Sequence, residues 1–117
     1  MPKQDIFSMK FSRVYPLLVQ KAVRKGRTRE EVDALVTWQT GYTAGDIAAY
    51  LDSEENYGSF FAAAPAPNPL RFLVKGSVCG VKVQEIDDPL LREIRILDKL
   101  VDDLARGKST GKILPTK

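Results

Sequence analysis

The longest amphipathic pattern in the chain lies near its C-terminus, between Asp88 and Arg106. Apolar residues recur there at alternating four- and three-residue steps, which places them on one side of an α-helix. That side consists of Leu90, Ile94, Leu97, Val101 and Leu104, and it is widened by Leu91, Leu100 and Ala105. Asp88 and Pro89 suit the start of a helix and Gly107 suits its end. The pattern therefore predicts a long helix at the centre of the fold.

Both faces of this helix allow further predictions. The apolar stripe is wide enough to pack against several elements, and a surplus at the Leu91 and Ala105 edge predicts a homodimer contact. The polar face places Lys99 within reach of Asp102 and Asp103. Exposed pairs of this kind contribute about 0.2–0.5 kcal/mol each. A solvated polar face is the resulting prediction.

The N-terminal half predicts three helices and a short fourth one. Residues 1–11 form an arm whose apolar residues pack down, and Ser12 caps a helix that runs to Lys25 and ends at Gly26. Val14, Leu17, Leu18, Ala22 and Val23 are expected to face inward in that helix. A capping box at Thr28 and Glu31 starts the second helix, which ends near Thr40 before Gly41. Its inward face is Val32, Leu35, Val36 and Gln39; Thr43 caps a third helix to about Ser53, and Ser59 starts the fourth.

The second and third helices have the outline of a helix-turn-helix. A recognition helix needs Arg, Lys, Asn or Gln directed at base edges. The third helix instead carries Asp46, Asp52, Glu54 and Glu55 and no basic residue. We therefore interpret the pair as an αα-hairpin used for packing, and specific DNA reading is not favoured.

The segment between the fourth helix and the last one contains prolines and glycines. Pro65, Pro67 and Pro69 predict an extended connector across the core. Residues 70–86 predict a short β-ribbon with a turn signal at Lys75 and Gly76, and a glycine-interrupted helix remains an alternative. Gly76 and Gly80 bracket Ser77 and Cys79, and this segment matches no phosphate-binding fingerprint.

Length and composition predict one compact domain over residues 1–117, with the arm at 1–11 and a basic tail at 107–117. The expected fold class is mostly α: four to five helices around the long C-terminal helix, with the β-ribbon before it. The chain has no apolar run that would span a bilayer and no signal-peptide pattern, so a cytoplasmic protein without membrane contact is expected.

The absence of histidine and the single cysteine limit the chemistry of the chain. Cys79 has no partner for an internal disulfide, and the usual zinc ligand sets need residues that this chain lacks. Histidine is also the commonest general base. We therefore expect no metal and no cofactor, and we expect Cys79 to be an inert thiol with a raised pKa. Carboxylates such as Glu85, Asp87 and Asp88 remain as acid–base candidates, although their spacing fits capping and turns equally well.

The net charge of +3 conceals a bipolar distribution. Residues 1–27 hold seven Lys or Arg against Asp5, and residues 28–58 hold Arg29 against seven acids, so the two segments sum to +6 and −6. The two segments are expected to fold against each other. The alternative is a basic surface for nucleic acid or another polyanion, formed by Lys21, Arg24, Lys25 and Arg27.

Several separated motifs resemble a known family. They are VYPLLVQKAVRKGRTREEVDALVTWQTGY, APAPNP, KGSVCGVKVQEIDDPLLREIRILDKLVDDLARGK and the closing KIL, which together span residues 14–114. The chain resembles the small, mostly bacterial proteins of domain-of-unknown-function family twenty-two hundred. The resemblance implies a complete, stand-alone cytoplasmic protein, and it implies no activity, substrate or cofactor.

Three classes of function follow from these observations. The favoured class is a non-enzymatic protein-interaction module, with self-association as one form of it, because no catalytic constellation is visible. The second is a weak, non-specific nucleic-acid binder that uses the basic N-terminal face. The third is a small-molecule binder or enzyme with a pocket near Trp38, Tyr42, Asn68, Cys79 and Gly80.

Overall fold

A computed structural model describes residues 6–74, 76–78 and 80–114. Within these ranges the chain forms six α-helices and one two-stranded antiparallel ribbon. The helices are α1 (Phe11–Val23), α2 (Arg29–Thr40), α3 (Ala44–Leu51), α4 (Tyr57–Ala62), α5 (Pro89–Ala105) and α6 (Thr110–Ile113), and the strands are β1 (Ser77–Val78) and β2 (Val81–Lys82). The predicted mostly helical fold is confirmed, and α6 adds a helix to it.

Helix α5 is the centre of the structure, as predicted. It packs against α1, α2, α4, α6 and the ribbon. The Asp88 carboxylate accepts hydrogen bonds from the backbone N–H groups of Leu90 and Leu91, at 3.0 and 3.3 Å, and Pro89 is the first helical residue. Because neighbours surround α5, Ile96 is also fully buried, although it lies outside the predicted apolar stripe.

The polar face of α5 is less solvated than the sequence predicts. Lys99 Nζ lies 2.7 Å from Asp103 Oδ1, and both side chains are only 13% exposed. The segment before β1 covers this pair so closely that a Cβ atom on Gly76 would lie 2.7 Å from Lys99 Cε. The prediction of a solvated face is therefore wrong at this position.

Helices α2 and α3 begin after Thr28 and Thr43, as the predicted capping box and the predicted cap indicate. Thr28 and Glu31 exchange hydrogen bonds at the start of α2, and Thr43 and Asp46 do the same for α3, which ends at Leu51, slightly before the predicted Ser53. The proline segment then crosses the end of α2. Its backbone N–H groups at residues 66 and 68 donate to the carbonyl oxygens of residues 40 and 39, both at 3.0 Å. These bonds satisfy helix-end carbonyls that lack partners inside the helix.

Helix α1 differs from its prediction in its start and its orientation. It begins at Phe11 and has no side-chain cap, so the predicted cap at Ser12 is wrong. Backbone bonds from Phe11 N to Glu55 O (3.0 Å) and from residue 57 N to residue 9 O (2.7 Å) fix the preceding arm against the start of α4. In the resulting orientation Tyr15 is buried, whereas Leu17 and Val23 are exposed and the prediction that they face inward is wrong.

Other boundaries also shift. Helix α4 begins at Tyr57, where Asn56 and not Ser59 provides the cap. Residues 69–73 form a 3-10 turn, so the ribbon is limited to the pairing of Ser77–Val78 with Val81–Lys82. The alternative of a glycine-interrupted helix is wrong. In the tail, Ile113 is buried. Lys75 and Cys79 lie outside the described residues, so the predictions for the Cys79 thiol stay predictions.

Candidate functional site

The large apolar side chains that are exposed in the described part of the chain form two pairs. Leu17 and Val23 of α1 are 60% and 52% exposed. Phe72 and Leu73, in the 3-10 turn at residues 69–73, are 46% and 41% exposed. Each pair lies beside charged groups, and we call the two regions the α1 surface and the Phe72 surface. They are the candidate sites because exposed apolar groups bordered by charge often mark places of contact.

The α1 surface contains a groove of about 440 Å³. Its remaining lining comes from Arg29 and Leu51, and its α1 side is formed by Tyr15, Pro16, Leu17, Val19, Gln20 and Val23. Arg13 and Arg24 lie four residues before and seven residues after Leu17, so they share its side of the helix. Both arginines are exposed, and neither has a carboxylate partner among the residues described. The surface is thus apolar with a cationic border.

The base of this groove is a structural tie between helices. The Tyr15 hydroxyl donates a short hydrogen bond to the Asp33 carboxylate, and Arg29 Nε lies 3.7 Å from the same carboxylate. Burial, followed by the bond to Asp33, raises the pKa of Tyr15 above its ordinary value. The hydroxyl therefore stays protonated at neutral pH and holds α1 against α2.

The Phe72 surface is built from the 3-10 turn and the first half of α5. Arg71 Nε donates to Glu93 Oε2 at 2.6 Å, and another Arg71 nitrogen donates to the Asn68 carbonyl oxygen at 2.9 Å. The Arg71 guanidinium carbon lies 4.2 Å from the centre of the Phe72 ring, and that of Arg92 lies 4.9 Å from it. Two cations therefore contact one exposed aromatic ring.

Beneath this surface lies a buried polar network. Gln39 of α2 is fully buried, and its Nε2 donates to the Glu93 carbonyl oxygen at 2.8 Å and to Glu93 Oε1 at 3.0 Å. Two buried atoms of the same region, Gln39 Oε1 and Arg92 Nε, have no hydrogen-bond partner in the described structure. Glu93 is thus shared between the α2 core and the Arg71 side chain.

The residues of the predicted pocket occupy separate environments. Trp38 is partly buried and borders a hollow with Glu30, Asp33, Ala34, Thr37 and Ala44. Tyr42 is buried, its hydroxyl donates to the Phe60 carbonyl oxygen at 2.7 Å, and burial raises its pKa. Asn68 caps the 3-10 turn through a bond from Leu70 N at 2.9 Å, and so supports the Phe72 surface. Gly80 occupies the hairpin turn with φ +79° and open space around it.

Two of the four residues predicted to contact a polyanion, Lys21 and Arg27, form ion pairs with carboxylates of this chain. Lys21 Nζ lies 3.2 Å from Asp102 Oδ1. Arg27 pairs with Glu31 and lowers the pKa of the Glu31 carboxyl. Arg24 and Lys25 remain exposed, and the structure shows no carboxylate partner for them within the described ranges. Among those ranges we also find no group of three Cys, Asp or Glu side chains arranged to hold a metal ion. No helix there is long and apolar enough to cross a membrane.

Sequence reasoning missed the Phe72 surface, and it also missed Tyr15. The only local signal was the adjacent pair Arg71 and Phe72, a cation beside an aromatic residue directly after the prolines. Arg92 lies 20 residues after Phe72 in the sequence, so only the folded structure brings its guanidinium to the Phe72 ring.

These features define a small helical protein organised around its C-terminal helix. The chain belongs to the family described as uncharacterized protein conserved in bacteria (DUF2200), whose model matches residues 5–115. It is also similar to the crystal structure of the uncharacterized protein SP1917, with 46% sequence identity and a TM-score of 0.90 over 96% of this chain and 92% of that one. A search of curated proteins finds no match. The predicted family is confirmed.

Proposed function

We propose that this protein is a non-enzymatic protein-interaction module that forms a homodimer through the α1 surface. The observation that carries this proposal is the exposure of Leu17 and Val23, at 60% and 52%, beside an apolar groove. Removing such groups from water contributes roughly 25 cal/mol for each Å² of apolar area, before the entropy lost on association is subtracted. In this proposal, a second copy of the chain supplies the surface that covers Leu17 and Val23.

The complementary surface is the exposed side of α3. Ala44 and Ala48 are exposed and lie on the side next to Leu51, which lines the groove. Small side chains there leave room for Leu17 and Val23 of another copy. Asp52 is exposed on the same side, and residues 44–55 contain no basic residue. A cationic α1 and an acidic α3 are therefore complementary in charge.

Two-fold symmetry follows from the position of these helices. Helices α1 and α3 pack against each other within one chain, so their exposed sides are neighbours. An isologous contact then places α1 of each copy against α3 of the other, with Arg24 facing Asp52 of the second copy. The dimer edge expected at Leu91 and Ala105 is less suitable, because Ala105 is already buried within one chain.

The non-enzymatic part of the proposal is supported by the roles of the polar side chains. The partly buried pairs of Tyr15 with Asp33 and of Arg71 with Glu93 tie neighbouring elements together. Asp88, an acid–base candidate from the sequence, caps α5. Glu85 is exposed, and its Oε2 atom lies 4.0 Å from Lys82 Nζ. Each of these groups has a structural explanation.

The experiment is sedimentation velocity over a range of concentrations, with circular dichroism to check folding. We expect the unmodified chain to sediment as a dimer at high concentration and Leu17→Glu to sediment as a folded monomer. Leu73→Glu is the matched control, since it adds the same charge at an exposed leucine on the other surface. An unmodified chain that stays monomeric, or equal effects of the two substitutions, would overturn the proposal.

A further inference from the structure

Arg92 differs from the other cations in helix α5 and directly after it. A side-chain nitrogen lies 3.0 Å from a carboxylate oxygen in Arg95, 2.7 Å in Lys99 and 3.0 Å in Arg106. Arg92 has no carboxylate within ion-pair distance in the described ranges, and its buried Nε atom has no hydrogen-bond partner there. The adjacent acid, Glu93, is already bound to Arg71. A partly buried cation without a counter-charge is the strongest unexplained feature of the molecule.

The Arg92 guanidinium is also held in position. It lies 4.9 Å from the centre of the Phe72 ring, and this ring contacts the Arg71 guanidinium at 4.2 Å. Arg71 is fixed in turn by Glu93 and by the Asn68 carbonyl oxygen. Pre-positioned donors lose less conformational freedom when a ligand binds. Together, the side chains of Arg71, Arg92 and Glu93 carry a net charge of +1.

We propose that Arg92 and Phe72 form a binding site for an acidic side chain of an extended peptide. The planar guanidinium donates two parallel hydrogen bonds to a carboxylate. Phe72 and Leu73, 46% and 41% exposed, take the apolar side chain next to that acid. The two apolar contacts beside a single cation favour a peptide over a bare anion such as phosphate. This site lies on the 3-10 turn and α5, whereas the proposed dimer contact lies on α1 and α3.

The test is an NMR titration of ¹⁵N-labelled protein with the peptide acetyl-Leu-Asp-Leu-amide. The control ligand is acetyl-Leu-Asn-Leu-amide, which has the same shape without the charge. We expect saturable binding of the Asp peptide with shifts at residues 71–73 and 92. Arg92→Gln should weaken this binding by about tenfold, as the loss of one charged hydrogen-bond pair does. Arg106→Gln, directly after the same helix, should leave the affinity unchanged.

Several results would overturn the proposal. Equal affinity for the two peptides would show that Arg92 does not recognise the carboxylate, and so would equal weakening by Arg92→Gln and Arg106→Gln. Phosphate that binds as tightly as the Asp peptide, with no loss in Phe72→Ala, would show an anion site without peptide recognition. Circular dichroism of each variant establishes that the fold is retained. Because Leu17→Glu tests the dimer separately, failure of this site and failure of the proposed function are distinguishable.

Discussion

The Gln39 amide nitrogen lies 2.8 Å from the Glu93 carbonyl oxygen and 3.0 Å from its carboxylate, so one buried side chain ties α2 to α5. The same carboxylate accepts from Arg71 at 2.6 Å. The Phe72 surface therefore rests on the core through Glu93.

This relationship predicts the effect of Gln39→Met, which keeps the size of the side chain and removes its hydrogen bonds. We expect the free energy of unfolding to fall by about 1–3 kcal/mol, the cost of leaving buried polar groups unpaired. Urea denaturation measures the change. Gln20→Met, at an exposed position on α1, is the control, and at concentrations too low for association through the α1 surface it should change stability little. Equal stability of the two variants would mean that the Gln39 bonds contribute nothing.

Gly41 and Gly26 allow backbone conformation and steric contact to be separated. Both have positive φ, +83° and +82°, but only Gly41 has a neighbour: a Cβ there would lie 2.7 Å from the Ala66 Cβ. Gly26→Ala should destabilise the fold by about 1–2 kcal/mol through its φ alone. Gly41→Ala should cost a further ~1–3 kcal/mol because the proline segment must move. Thermal unfolding of both variants checks this, and equal losses would contradict the close packing at Ala66.

Leu97 lies at the centre of the apolar side of α5 and is fully buried. Leu97→Ala should lower the free energy of unfolding by about 2–5 kcal/mol, as loss of a buried leucine does. Leu17→Ala is the matched control. At concentrations too low for association, it should change stability by no more than about 0.5 kcal/mol. A small loss for Leu97→Ala would show that α5 is not the centre of the core.

Asp98 provides a prediction about pH. Burial raises the pKa of this carboxyl above its ordinary value of 3.8, and the nearby Arg95 and Lys21 only partly oppose this rise in pKa. A raised pKa means that the charged form is disfavoured in the folded protein, so ionisation of Asp98 lowers stability as pH rises above about 3.8. Asp98→Asn should therefore gain stability relative to the unmodified chain between acidic and neutral pH. Urea unfolding at several pH values measures this difference, and a difference that shrinks as pH rises would contradict the assignment.

Local signals explain which parts of the fold the sequence could predict. The capping box at Thr28 and the cap at Thr43 involve only residues close in the sequence, and they marked the starts of α2 and α3 correctly. The apolar periodicity that predicted α5 was also local, since it lies within residues 88–106. Periodicity alone does not show which apolar residues of a helix meet the core, so Leu17 and Val23 were placed on the wrong side.

The candidate sites depend on longer-range contacts. The start of α1 is set by bonds to Glu55, which no pattern near Ser12 records. Asn68 was identified from the sequence, whereas the contact of Arg92 with Phe72 arises only when the 3-10 turn meets α5. Tertiary packing decided both features.

The central claim is the contact of α1 with α3 of a second copy. Its most direct measurement is an isotope-filtered NMR experiment on a mixture of labelled and unlabelled chains, which detects only contacts between copies. We expect contacts from the Leu17 methyl groups to the Ala48 and Leu51 methyl groups. Contacts between copies that instead involve Leu91, or a complete absence of such contacts at concentrations where the mass is that of a dimer, would contradict the account.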